Sequence, residues 1–113
     1  MNLAIETREL LSDCGKSEND IVWVGCREFQ IPKELFWALA EKTNYDDGFG
    51  WQKIATDLLV VGNNFWLERH EYDGLEWWEY KELPTIPSAI RMDILRLDGE
   101  MGGHGLDRAN KRN

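Results

Sequence analysis

Between Asp57 and Leu83 the chain reads Asp-Leu-Leu-Val-Val-Gly-Asn-Asn, then Phe-Trp-Leu-Glu-Arg-His-Glu-Tyr, then Asp-Gly, then Leu-Glu-Trp-Trp-Glu-Tyr-Lys-Glu-Leu. Three runs of β-branched and aromatic residues are split by two short turn signals, the sequence form of an antiparallel meander. Trp66, Trp77 and Trp78, three of the six tryptophans, lie within it beside Phe65, Tyr72 and Tyr80. A sheet this rich in large side chains has to bury at least one face against another layer.

The charges bear on the register of the last hairpin. A two-residue Asp73-Gly74 loop sets Glu71 opposite Glu76 and Glu68 opposite Glu79, and like charges directly across a strand pair are destabilising. A three-residue loop, Tyr72-Asp73-Gly74 with Gly74 in a bulge, slips the pairing by one and removes both clashes. The three-residue loop is therefore expected. It places Trp66, Trp78 and Tyr80 on one face and Phe65, Leu67, Leu75 and Trp77 on the other. Upstream, Asn63-Asn64 supplies the first turn.

In chain order, Leu3, Thr7, Leu10 and Leu11 fall at helical spacing with a stop at Cys14-Gly15, predicting a short helix over 3–13. Ile21-Val-Trp-Val-Gly reads as a strand, with Gly25 a bulge or a close approach. Pro32 opens a helix to about residue 43, and Ile31, Leu35, Phe36, Leu39 and Ala40 form its apolar face. An acidic loop, Tyr45-Asp-Asp-Gly-Phe-Gly, leads to one helical turn over 51–56. After Pro84 and Pro87, Ser88 caps a helix from Ala89 to Leu97, a span whose alternation would also suit a strand. Residues 99–113 read as a mobile tail. The fold class expected is α+β: an antiparallel sheet of about four strands, a helix at about 32–43 on one face, and short flanking terminal helices. The divisions are a helix and linker over 1–18, a core over 19–85, a terminal element over 86–98, and the tail.

Composition narrows the function classes. Net charge is −8. Residues 20–85 hold 13 acidic and 6 basic side chains, while residues 86–113 hold 4 and 5, so the negative charge sits in the core and the tail is mildly basic (Arg108, Lys111, Arg112). Such a core repels phosphates, which argues against direct nucleic-acid binding through the sheet. No run approaches the ~18 apolar residues of a membrane span, and the start lacks the pattern of a signal peptide. Cys14 and Cys26 have no Cys-x-x-Cys spacing, and the plain reading is a cytosolic protein with free thiols, Cys26 being a small core residue.

No motif carries chemistry. Glu68 and His70, with Glu76 near, form the closest approach to an acid–base cluster, but a surface ion pair accounts for it. His104 sits among glycines, and nothing matches zinc-ligand spacing. Asp46-Asp47-Gly48 lacks the ligand alternation of a calcium loop, and Gly48-Phe-Gly-Trp lacks the spacing of a phosphate loop. No catalytic residue, metal or cofactor is expected.

The run Val61-Gly-Asn-Asn-Phe-Trp-Leu-Glu-Arg-His-Glu-Tyr-Asp-Gly-Leu-Glu-Trp-Trp-Glu-Tyr, with Ile21-Val-Trp-Val-Gly before it, resembles a family of small uncharacterised proteins encoded by bacteriophages and prophages. The resemblance covers about residues 19–85. It implies a phage origin and residence in a bacterial cytoplasm, with no activity to carry over. Small acidic phage proteins often bind a host or defence protein, sometimes by imitating the charge of nucleic acid. The expectation is a non-enzymatic binding or inhibitory protein, its contacts Glu68, His70, Glu76, Trp78 and Glu79 with Asp46 and Asp47 nearby. Two alternatives stand beside it. One is a ligand-binding or enzymatic pocket lined by Tyr45, Phe49 and Trp51; the other is a homodimer closing on its own aromatic face.

Overall fold

The computed structural model describes all residues except Phe49, Ala89, Ile90, Met92, Glu100, Met101, Arg112 and Asn113. Helix α1 (Leu3–Asp13) opens the chain, capped by Asn2, whose Oδ1 accepts from Ile5 N at 3.1 Å. Strand β1 (Ile21–Gly25) and the two-residue β2 (Gln30–Ile31) follow, then α2 (Lys33–Glu41). The meander is β3 (Leu59–Gly62), β4 (Phe65–Tyr72) and β5 (Leu75–Glu82), and a short α3 (Leu106–Ala109) lies in the tail.

The five strands form one antiparallel sheet in the order β2-β1-β3-β4-β5, one strand more than expected. The added strand, β2, exists because the chain doubles back tightly after β1. Cys26 N donates to Phe29 O at 3.0 Å, and a Cβ at Gly25 would lie 2.3 Å from that same oxygen. Only glycine fits there. The close approach expected at Gly25 is thus the root of the first hairpin.

Both helices pack on the same face. Val24, Val60 and Leu67 lie side by side across the ladder and are fully buried. Phe65 and Tyr80 stack beside them with ring centroids 5.5 Å apart. From above come Leu3, Ala4 and Leu11 of α1 and Phe36 and Ala40 of α2. Helix α1 is therefore a wall of the core rather than a peripheral element. Its start is clamped to the end of α2, with Leu3 N bonded to Thr43 O at 3.0 Å and Asn2 Nδ2 to Glu41 O at 3.0 Å. Helix α2 buries less than its pattern promised. Leu35 and Leu39 stay about half exposed, because nine residues lying against α1 and β1 offer only one narrow stripe to the core.

The last hairpin corrects the expected register. Its loop is Asp73-Gly74 alone, both residues at positive φ (51° and 87°), the geometry of a two-residue hairpin turn whose twist matches that of the strands. Glu71 does stand opposite Glu76, and Glu68 opposite Glu79. The repulsion is tolerated because each acid except the exposed Glu71 has its own neutralising or donating partner. Glu76 turns inward to Arg69, Glu68 is held by Trp66 and His70, and Glu79 by Trp77. The faces change accordingly. Phe65, Leu67, Trp78 and Tyr80 look to the core, while Trp66, Leu75 and Trp77 look away from it.

Two further expectations change. Residues 51–56 form bends and a turn, not a helical turn. Of the helix or strand expected over 89–97, Ala89, Ile90 and Met92 lie outside the described residues, and the others hold neither. In the tail, Asn110 Oδ1 accepts from Leu95 N and Arg96 N at 2.8 and 3.0 Å.

Candidate functional site

With α1 and α2 on one face, the other face of the sheet has no helix over it among the described residues. Period-two alternation lays Trp66, Glu68, His70 and Tyr72 along β4 and Leu75, Trp77, Glu79 and Lys81 along β5. A short repeat organises them. Trp66 Nε1 donates to Glu68 Oε1 at 2.7 Å, and Trp77 Nε1 donates to Glu79 Oε2 at 2.8 Å. Each indole thus anchors the carboxylate two residues on, as the i, i+2 spacing of a strand allows. Glu68 Oε2 also meets His70 Nε2 at 2.9 Å, and the His70 and Trp77 rings lie 6.4 Å apart across the ladder. Tyr72 is 72% exposed and Leu75 52%.

Beyond Glu68 the face dips into a hollow of about 510 Å³, bounded by Leu59, Val61, Trp66, Arg27, Glu28 and Asp57. The whole is a plate of aromatic rings set with carboxylates whose positions are fixed by hydrogen bonds.

Chemically this arrangement holds its carboxylates as oriented hydrogen-bond acceptors. The hydrogen bond from Trp66, followed by that from His70, holds the Glu68 carboxyl below its ordinary range. A general base working near neutrality needs the opposite shift. The stability Glu68 contributes is present above the ordinary carboxylate range and is lost as pH falls through its lowered folded value. Carboxyl-carbon NMR titration should find Glu68 titrating below the ordinary carboxylate range. Trp66→Phe should move it back up, and an unchanged value in that variant would remove the assigned cause.

The structure divides the expected contact residues. Glu68, His70 and Glu79 share the open face. Glu76 and Trp78, each 4% exposed, do not belong to it; they point into the core and cannot touch a partner. Glu76 Oε1 accepts from Lys53 N at 2.6 Å and Oε2 from Ile54 N at 3.2 Å and Arg69 at 2.9 Å. Arg69, its side chain fully buried, also reaches Glu6 at 3.2 Å and Tyr45 Oη at 3.1 Å, with its guanidinium 4.8 Å from the Trp78 ring centroid. Burial, then a hydrogen bond to Glu6, pushes the Tyr45 phenol well above its ordinary value. Trp78 Nε1 donates to Thr7 Oγ1 at 2.8 Å. Asp47 serves the fold through its backbone, its carbonyl taking Glu76 N–H at 2.8 Å, and Asp46 Oδ1 accepts from Gly48 N within its own turn.

The pocket expected from Tyr45, Phe49 and Trp51 does not assemble from its described members. Tyr45 belongs to the Arg69 cluster and Trp51 is 89% exposed, while Phe49 lies outside the described residues. The sequence reading missed Arg69 altogether. The parity of Phe65 and Leu67 was the signal available, since a strand that buries both must also turn Arg69 inward.

Compared with protein-family models, with curated proteins and with solved structures, the chain matches none of them.

Proposed function

We propose that this is a non-enzymatic binding protein of the small acidic phage type, which docks a basic groove of a host or defence protein onto its open sheet face. The observation that carries the reading is the face, with no helix over it among the described residues, on which Trp66 and Trp77 hold Glu68 and Glu79 in fixed positions. Aromatic side chains are enriched at the centres of interfaces. Pre-oriented carboxylates on a chain of net charge −8 are complementary to a groove built for phosphates. A bacterial cytoplasm as the setting and nucleic-acid mimicry as the mode rest on the sequence resemblance and on this charge pattern.

The test is affinity capture from a bacterial lysate with the parent protein and with Glu68→Lys/Glu79→Lys. A stoichiometric protein lost on charge reversal, and displaced by added duplex DNA, would support the reading. Both substitutions are on the surface, so folding stability should change by no more than ~1 kcal/mol. Capture that survives the reversal would sink the proposal.

A homodimer is the second reading, favoured by the outer edge of β5. Glu76 N–H points away from β4 to Asp47, so by alternation Trp78, Tyr80 and Glu82 also turn their backbone groups outward. No strand among the described residues pairs there. Two β5 edges meeting antiparallel with Tyr80 on the twofold axis set Glu79 opposite Lys81 of the second copy, twice over. Moving the axis by one residue sets Glu79 against itself or Lys81 against itself, which like-charge repulsion disfavours. A mass of two chains by light scattering, abolished by Tyr80→Pro, would favour this reading over the first.

A further inference from the structure

We infer that Cys26, Glu28 and Asp57 form a binding site for a thiophilic divalent cation of the zinc class. One sulfur and two carboxylate donors from these residues lie within 4.8 Å of one another. The fold brings them together for a definite reason. Cys26 and Glu28 sit in the tight turn between β1 and β2, closed by the bond from Cys26 N to Phe29 O. Strand β3 pairs with β1 so that Gly25 faces Leu59. Continued outward, that register carries Asp57, two residues before Leu59, alongside the hairpin turn.

The state of the three side chains points to a ligand. Cys26 is 92% buried, since only 8% of its surface is exposed, and its thiol has no hydrogen-bond partner among the described residues. Glu28 and Asp57 stand close to each other, yet neither carboxylate forms a hydrogen bond or ion pair with any described residue. Arg27, which borders the same hollow, pairs with neither. Two neighbouring carboxylates and a buried thiol, none with a partner among the described residues, present three unsatisfied donor atoms close together. A divalent cation between them would satisfy all three.

The donor set selects the metal. Calcium and magnesium take oxygen ligands, whereas a thiolate favours zinc or its cobalt substitute. Metal–sulfur and metal–oxygen bonds of about 2.3 and 2.0 Å put tetrahedral donors roughly 3.5 Å apart. The exposed Glu28 and Asp57 side chains reach that spacing by rotating about their own bonds. On binding, the Cys26 thiol would give its proton to solvent as its sulfur bonds the metal. Three protein ligands would leave a fourth position for water, and two of the three, Glu28 and Asp57, also line the hollow beside Trp66 and Glu68. Sequence spacing could not show the site because Asp57 arrives from a separate strand.

The experiment titrates the reduced, chelator-treated full chain with Co²⁺, followed by optical absorption, and then displaces it with Zn²⁺. The expected result is one equivalent bound, with an intense near-ultraviolet sulfur-to-cobalt charge-transfer band. Cys26→Ser should abolish the band, and Cys14→Ser should leave it intact. Asp57→Asn and Glu28→Gln, at exposed positions where folding is not at risk, should each weaken binding at least ~10-fold. Absence of a charge-transfer band in the parent protein would overturn the inference. So would its loss in Cys14→Ser, unchanged affinity in both carboxylate variants, or displacement of Co²⁺ by an equal concentration of Mg²⁺.

Discussion

Glu76→Ala is expected to lower folding stability by ~3–5 kcal/mol, seen as a fall in the urea midpoint with little change in slope. The size follows from what the substitution leaves behind. Arg69 has a fully buried side chain and stacks against Trp78, so it cannot follow its lost partner into water. Among the described residues, only Glu6, 11% exposed, would remain to balance its charge. The N–H groups of Lys53 and Ile54 would lose their acceptor as well, and an unsatisfied buried donor costs ~1–3 kcal/mol. Against a total of ~5–15 kcal/mol for a domain, this is a large share. Replacing both charges together, Arg69→Met with Glu76→Leu, should cost less than Glu76→Ala alone, because it leaves no orphaned charge. A loss under ~1 kcal/mol for Glu76→Ala would mean that the pair is solvated and the cluster is not holding the 45–54 loop.

The same cluster shows where reading the sequence stops. The meander was legible because its turn residues and β-branched runs act locally; Asp73-Gly74 needs only its own backbone preferences to form a turn. Helix α1 was legible from the spacing of Leu3, Thr7, Leu10 and Leu11. The hairpin register was read wrongly because the charges of Glu68, Glu71, Glu76 and Glu79 were weighed only against one another. What decides the register is the partner each acid finds, and for Glu76 those partners come from residues 53, 54 and 69. A carboxylate opposite another carboxylate is costly only while both lack donors.

The candidate site was half legible for the same reason. Glu68 and His70 share a face by the period of a strand in any register, whereas Glu79 joins them only through the pairing that the two-residue loop sets. Glu76 and Trp78 were assigned to that face through the slipped pairing, which exchanges the faces of β5. The W-x-E repeat at Trp66–Glu68 and Trp77–Glu79 is present in the sequence, yet its meaning as indole-to-carboxylate bonding depends on both pairs lying on a strand. The Cys26–Glu28–Asp57 group has no local signature at all, since only the pairing of β1 with β3 brings Asp57 to the turn.

A chain lacking residues 1–15 is expected not to fold into a cooperative domain, even though the meander and α2 remain intact in sequence. Helix α1 supplies Leu3, Ala4 and Leu11 to the core. Burying a leucine contributes ~1.5–3 kcal/mol, so the two leucines alone approach the lower end of a domain's net stability. Polar losses compound this. Trp78 Nε1 would lose Thr7 in a buried setting, and Arg69 and Tyr45 would lose Glu6 in a part-buried one. A milder form of the same test is Leu11→Ala, which should cost ~2–5 kcal/mol because the side chain is 1% exposed and leaves a cavity between helix and sheet. Near-ultraviolet circular dichroism is the direct readout, since Trp78 and Tyr80 lie on the face that α1 covers. Retention of the parent signal and of a sharp urea transition in the truncated chain would show that the sheet and α2 form a self-sufficient core without the first helix.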